Sequence, residues 1–368
     1  MSKSNIYVGV AGFIGQPNAE GSVGIFRRSI EGEQWEHVYD ERETYTVYVH
    51  PGDPTYIFAG TDNGVWRSED NGKTFQRTHF PQGKTQIWSF LTCQDAPDIM
   101  YAGASPIEIY KSIDRGTSWE KLSTPDIQER CSGPFSPRVM RMVQKPGDPN
   151  TIYAALEIAG AIRTTDGGET WDDISNDLVQ LAESPHLQSS IVQDKTLAEG
   201  MLDAHAITIS PSKPNTVLIA LRMGLFKTSN RGKNWEDMKI KRYSPTTYAR
   251  DLKVSPQNPN TIYAALSVAA ASHDGGIYKS DDAGETWKRF DKIKVNGRSY
   301  SWPNVPLVVV CIDGSEPDYI EQAVENGLMP FTEKILSKGA DLRVDSVIPS
   351  FTNPNNLSIV TGRPPAVH

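Results

Sequence analysis

Between residues 5 and 290 the chain is built from short β-prone apolar runs separated by Gly, Pro, Asp and Asn clusters, a pattern that predicts many short strands. Two motifs punctuate these runs. Ser/Thr-x-Asp-x-Gly-x-x-aromatic occurs at Ser68 to Phe75, Ser112 to Trp119, Thr164 to Trp171, Thr228 to Trp235 and Ser280 to Trp287, with Asn230 in the Asp position of the fourth. A degenerate sixth copy, Gly24 to Ser29 followed by Trp35, keeps the strand and the aromatic but not the turn. The aromatic positions 35, 75, 119, 171, 235 and 287 lie 40, 44, 52, 64 and 52 residues apart. Upstream of the full motifs comes a Pro turn and a second apolar run, as in His50 to Pro54 before Tyr56 to Gly60, Lys145 to Pro149 before Ile152 to Ala155, and Ser255 to Pro259 before Ile262 to Ala265. Each unit therefore reads as four short strands, the content of one propeller blade.

The repeated motif explains itself without a ligand. Its carboxylate (Asp70, Asp114, Asp166, Asp282) or amide (Asn230) can accept backbone N–H bonds across a tight turn, the Gly supplies a positive φ, and the aromatic plugs the hairpin. Trp35, Trp119, Trp171, Trp235 and Trp287 are thus expected to be structural. On these residues the stretch from about 5 to 290 resembles the Asp-box, or bacterial neuraminidase repeat, β-propellers. That resemblance implies a propeller of about six units and leaves activity open, because function lives in a site rather than in an architecture. Sialidases of the group also carry an Arg-Ile-Pro element, which this chain lacks.

Aligning the five innermost strands on their Pro turns gives a candidate site. Six residues before the turn stand Tyr45, Trp88, Met140, His205 and Arg250, and two residues earlier Glu43, Gln86, Arg138, Asp203 and Tyr248. Four residues before the turn come Val47, Phe90, Met142, Ile207 and Leu252, an apolar set expected in the core between blades. A polar mouth is expected, with Trp88, Arg138, Asp203, His205 and Arg250 as binding residues for a small molecule, glycan or protein. No cofactor is evident for this part. The long insertion from about Asp172 to Ala204 is expected to overhang the mouth. Glycoside hydrolysis would need two facing carboxylates, for which Asp203, Glu199, Glu43 and Asp251 are the candidates.

After Phe290 the repeat stops. Leu307 to Ile312 is a continuous apolar run of the kind found in parallel strands covered on both faces, followed by Asp313-Gly314. Helices are expected over Asp318 to Asn326 and over Pro330 to Lys338, the latter capped by Gly339, then a strand over Ala340 to Ile348 and a helix over Asn353 to Thr361. Val295 to Tyr300, Val308 to Ser315 and Ser350 to Gly362 together resemble the N-terminal part of phosphonoacetate hydrolase, a zinc-dependent member of the alkaline phosphatase superfamily. The resemblance implies cleavage of a carbon–phosphorus bond to acetate and phosphate, with Thr352 as nucleophile and Asp313 and Thr352 as zinc ligands. A two-zinc centre needs on the order of six protein ligands, whereas beyond residue 304 the chain offers one His and four Asp.

The expected fold is thus mostly all-β: an Asp-box β-propeller over 1–291, a junction over 292–304, and a partial alkaline-phosphatase-like α/β segment over 305–368. The first unit begins at what aligns as its second strand, so either residues 292–302 supply the closing strand or the ring is missing a blade, as in a fusion or truncation of two reading frames. Of the 368 residues, 37 are Lys or Arg and 45 Asp or Glu, a formal charge of −8 that disfavours nucleic acid and anionic membrane as partners. Three unpaired cysteines and no long apolar run suggest a cytoplasmic protein. The expected function is a binding or scaffold module joined to an inactive hydrolase-like segment. The alternatives are a phosphonoacetate hydrolase completed by another chain, and a glycan-binding or glycoside-hydrolysing propeller.

Overall fold

The computed structural model describes residues 4–12, 21–81, 83–124, 127, 136–187, 201–210, 213–268, 275–290, 293–295, 298–300 and 317–337. The chain separates into two compact units, 1–300 and 301–368. In the first, six antiparallel meanders follow one another in sequence order. Blade 1 has three strands, β1 (Asn5–Val10), β2 (Gly24–Ser29) and β3 (Glu36–Tyr39). The other blades have four strands each. Blade 2 contains β4 (Thr44–Val49), β5 (Ile57–Thr61), β6 (Gly64–Ser68) and β7 (Gln76–Arg77). Blade 3 contains β8 (Gln86–Thr92), β9 (Met100–Ser105), β10 (Ile109–Ser112) and β11 (Glu120–Lys121). Blade 4 contains β12 (Arg138–Lys145), β13 (Asp148–Glu157), β14 (Gly160–Thr164) and β15 (Asp172–Asp173). Blade 5 contains β16 (Ala204–Ser210), β17 (Lys213–Leu221), β18 (Gly224–Thr228) and β19 (Glu236–Asp237). Blade 6 contains β20 (Tyr248–Val254), β21 (Ile262–Ser267), β22 (Gly275–Ser280) and β23 (Lys288–Arg289). A final hairpin pairs β24 (Ile293–Val295) with β25 (Arg298–Tyr300). These two strands pair with each other, and among the described residues β1 pairs with β2 alone.

Core packing lies between blades. Each of five hydrophobic clusters joins one blade to the next, and Val47, Phe90, Met142, Ile207 and Leu252 each fall in a different one, facing the preceding blade. The motif aromatics fill the same seams: Phe75, Trp119, Trp171, Trp235 and Trp287 occupy one cluster apiece. Trp35 does not, being 45% exposed with the Arg28 guanidinium 5.2 Å from its ring centroid. Where the Asp turn is lost, the indole lies outside the hydrophobic seam and keeps the Arg28 contact on its own hairpin.

The turn itself is a closed set of hydrogen bonds. In the Ser280 motif the Ser280 hydroxyl accepts the Gly284 N–H at 2.8 Å and donates to Asp282 Oδ1 at 2.8 Å, while the Thr286 N–H and hydroxyl donate to Asp282 at 2.9 and 2.5 Å. Two consecutive left-handed residues, Ala283 (φ 61°) and Gly284 (φ 90°), let the chain double back. A Cβ on Gly284 would lie 2.0 Å from Met238 of the preceding blade. The fourth motif exchanges both partners: Asn230 Nδ2 donates to Asn234 Oδ1 at 3.1 Å, where the other copies have a carboxylate and a hydroxyl.

These bonds hold the Asp282 carboxyl down to about 2, chiefly through the Thr286 hydroxyl and then its N–H. At Asp70 burial pushes upward, and the Thr74 and Ser68 donors outweigh it, again giving about 2. A carboxylate whose folded pKa lies below its unfolded value of about 3.9 adds stability that is complete above that pH and disappears as pH falls toward 2. We therefore expect the urea midpoint to fall between pH ~4 and ~2, and to fall less over that interval in Asp282→Asn. Parallel pH profiles for the two proteins would refute the assignment.

Within the insertion after blade 4, α1 (Asn176–Ala182) places Leu178 and Ala182 in the core between blades 4 and 5, together with Leu187, Met201 and Leu202. The described part of the insertion is therefore packed into a seam rather than poised over the mouth; Glu199 lies outside the described residues. In the second unit, α2 (Pro317–Glu325) and α3 (Pro330–Leu336) stand where the sequence predicts helices, and Pro330 opens α3. The second is shorter than expected, ending at Leu336 with Ser337 as its C-cap, whose N–H bonds back to Glu333 and Ile335. The expected strands 307–312 and 340–348, the 353–361 helix, and Gly339, Asp313 and Thr352 lie outside the described residues.

Candidate functional site

One irregularity recurs in every innermost strand of blades 2 to 6. The pairing register shifts between Thr44 and Thr46, Ile87 and Ser89, Val139 and Arg141, Ala204 and Ala206, and Ala249 and Asp251. The residues left unpaired are Tyr45, Trp88, Met140, His205 and Arg250, the set that the Pro-turn alignment picks out. A bulge breaks the two-residue alternation and re-aims the extra side chain. The same bulge at one level of five strands therefore gathers side chains from different blades.

The gathered groups form a connected network. Tyr45 donates from its hydroxyl to Glu43 Oε2 at 2.8 Å and stacks on Trp88 with ring centroids 4.5 Å apart at 21°. The Arg138 guanidinium lies 4.0 Å from the Trp88 ring centroid. Trp88 therefore packs against both an aromatic ring and a guanidinium group from within the network. Arg138 Nε approaches Glu157 Oε2 at 2.6 Å, with both residues buried. Burial lowers the Arg138 pKa, against the upward pull of Glu157 and Asp203.

Blades 5 and 6 supply the other half. Asp203 Oδ2 accepts from Arg222 at 2.7 Å and from the Tyr248 hydroxyl at 2.6 Å. Arg250 donates through one nitrogen to the Tyr248 oxygen at 2.9 Å and to His205 Nε2 at 2.7 Å. An Arg nitrogen has no lone pair, so His205 Nε2 is the acceptor and Nδ1 carries the proton. His205 Nδ1 and Asp203 Oδ1 are both buried and have no hydrogen-bond partner among the described residues. Burial, followed by Asp203, raises the Tyr248 pKa and keeps the phenol a donor. One residue beyond the bulges, Arg141 reaches past blade 5 to Asp251 at 2.6 Å.

All five predicted mouth residues thus fall in one network, and two members were not foreseen. Glu157 ends β13 directly opposite Arg138 in register, and Arg222 sits in the two-residue turn between β17 and β18. An alignment confined to inner strands misses both. Register pairing of Arg138 with a carboxylate was the available signal for Glu157.

Glu157, Asp203 and His205 bring donor atoms within 4.8 Å of one another, close enough in principle to hold a metal ion. The chemistry of their surroundings opposes it. Each donor group already faces a guanidinium, at 2.6 Å for Glu157, 2.7 Å for Asp203 and 2.7 Å for His205. A divalent cation at these donors would have to displace the guanidinium groups that already lie against them. For the same reason the two carboxylates make a poor acid–base pair for glycoside hydrolysis. Of the other candidates, Glu43 accepts from Tyr45 and from the Gly12 N–H, and Asp251 pairs with Arg141.

Fold and repeat together define the class of the first unit: residues up to about 290 form an Asp-box propeller-like region, and the segment that follows is similar to the alkaline phosphatase superfamily. Residues 63–189 match the family described as sortilin, neurotensin receptor 3, and residues 307–368 match the type I phosphodiesterase / nucleotide pyrophosphatase family. Among individual proteins, the chain is 24% identical to xyloglucanase Xgh74A of Acetivibrio thermocellus over 92% of its own length and 42% of that enzyme. It is 23% identical to a probable oligoxyloglucan-reducing end-specific xyloglucanase of Neosartorya fischeri, over 67% of this chain and 34% of that one. It therefore spans less than half the length of either relative. Among solved structures, an ancestral GH74 enzyme superposes with a TM-score of 0.50 at 16% identity, covering 67% of this chain and 31% of that one, a likeness of fold.

Proposed function

We propose that the propeller is a glycan-binding module whose ligand is met at the bulged starts of the innermost strands. The observation that carries this reading is the five-fold repetition of the bulge, which brings Tyr45, Trp88, Met140, His205 and Arg250 to one level from five blades. Core packing alone does not require such a device, since Val47, Phe90, Met142, Ile207 and Leu252 already fill the seams. The sugar class comes from the xyloglucanase relatives. Binding without hydrolysis is expected, because Glu157 and Asp203 are each held by a guanidinium. Calorimetry against a panel of neutral and acidic cell-wall oligosaccharides tests this reading. Binding that is lost in His205→Ala, with no new reducing ends released, is the expected result, and failure of every sugar to bind would end it.

The match of residues 307–368 to a phosphodiesterase family favours a second reading for the C-terminal unit. It is a segment akin to phosphonoacetate hydrolase, to which Asp313 and Thr352 would contribute two of the roughly six ligands of a two-zinc centre. Metal analysis after zinc loading should find fewer than two equivalents, and phosphonoacetate should yield no phosphate. Two bound zinc ions, with phosphate release abolished by Thr352→Ala, would overturn the inactive assignment.

A further inference from the structure

We propose that the cluster around Arg250 is a carboxylate-binding subsite, so that the preferred ligand is an acidic sugar, a uronate, rather than a neutral xyloglucan chain. The inference rests on the glycan reading above and adds the charge of the ligand. Three guanidinium groups meet in the network, and two are matched. Arg138 faces Glu157 at 2.6 Å and Arg222 faces Asp203 at 2.7 Å. Arg250 is different. Its hydrogen bonds go to the Tyr248 oxygen and His205 Nε2, both neutral acceptors, and no described carboxylate forms an ion pair with it.

Position reinforces charge. Arg250 is the bulged residue of β20 and is exposed, whereas Arg138, His205, Asp203 and Tyr248 beside it are buried. Both of its described hydrogen bonds leave from one terminal nitrogen, so the remaining guanidinium edge can take a planar two-oxygen partner. The contacts behind it fix that edge in place: Tyr248 is tied to Asp203, which is tied to Arg222. An oxyanion arriving at this edge meets a preformed cation whose described hydrogen bonds go only to neutral acceptors. A divalent metal would instead have to displace Arg250 from His205.

Calorimetry with three probes tests the assignment: a galacturonic acid oligomer, its fully methyl-esterified counterpart, and glutarate, a dicarboxylate without a sugar. The acid oligomer should bind about tenfold tighter than the ester or better, and the preference should shrink with added salt. Arg250→Gln should abolish it and Arg250→Lys retain part of it, with melting temperatures confirming that both variants fold. Equal affinity for acid and ester overturns the inference while leaving the glycan reading intact. Glutarate binding that depends on Arg250, with no oligomer bound, upholds the carboxylate subsite and removes the sugar. Binding of none of the three refutes the inference.

Discussion

Trp119→Ala is expected to lower the stability of the propeller unit by about 3–5 kcal/mol, whereas Trp35→Ala should change it by less than about 0.5 kcal/mol. Both tryptophans occupy the same position of the repeat, so sequence equivalence alone would give them equal weight. Trp119 is 6% exposed, packs against Phe80 and Phe90 of the seam between blades 2 and 3, and donates its indole N–H to the Gly116 carbonyl at 3.2 Å. Truncation removes a large apolar surface and leaves a void that blades cannot close without breaking the Asp114 turn. Trp35 has lost that turn and stands 45% exposed. Urea titrations of the two variants at neutral pH provide the check, and similar losses in both would refute the plug assignment.

The second large effect is expected at Asp203. Asp203→Ala should cost about 3–5 kcal/mol, because it strands partners rather than merely deleting a contact. The Tyr248 hydroxyl, buried and donating at 2.6 Å, loses its acceptor, and Arg222 loses the carboxylate that neutralises it. Tyr248→Phe removes the same hydroxyl without leaving a buried donor behind, and should cost only about 1 kcal/mol. Equal costs for the two substitutions would show that Asp203 acts through the phenol alone. The ordering also bears on the proposed site, since the Tyr248 hydroxyl that accepts from Arg250 is itself held by this carboxylate.

Much of this molecule was legible because its repeat reports local geometry. The Asp-box turn is a contact between residues i, i+2 and i+4, and the plug contacts its own hairpin, so spacing along the chain is nearly spacing in space. The Pro-turn alignment worked for a related reason: equivalent residues of equivalent strands occupy equivalent heights. It found Tyr45, Trp88, Met140, His205 and Arg250 without revealing that they are bulged, because a bulge is a property of the pair of strands rather than of one. Glu157 and Arg222 escaped for the same cause, lying on another strand and in a turn of blades whose inner strands had been aligned. Helix α1 was missed because its apolar residues are spent on the seam between blades 4 and 5, so that it reads as part of a long insertion.

What the sequence alone determined, then, is what local bonding determines: the number and spacing of blades, their turns, their plugs, and the change of class after residue 290. Tertiary structure decided the charge of the site and the state of its aromatic residue. Trp88 reads in sequence as a binding residue of the mouth, and only the fold shows that it packs against Tyr45 and Arg138. Arg138, Arg222 and Arg250 are separated by 84 and 28 residues along the chain and only the folded blades bring their charges into one account. Coulombic balance depends on distance in space, and no spacing in the chain encodes which arginine finds a carboxylate and which meets only neutral acceptors among the described residues.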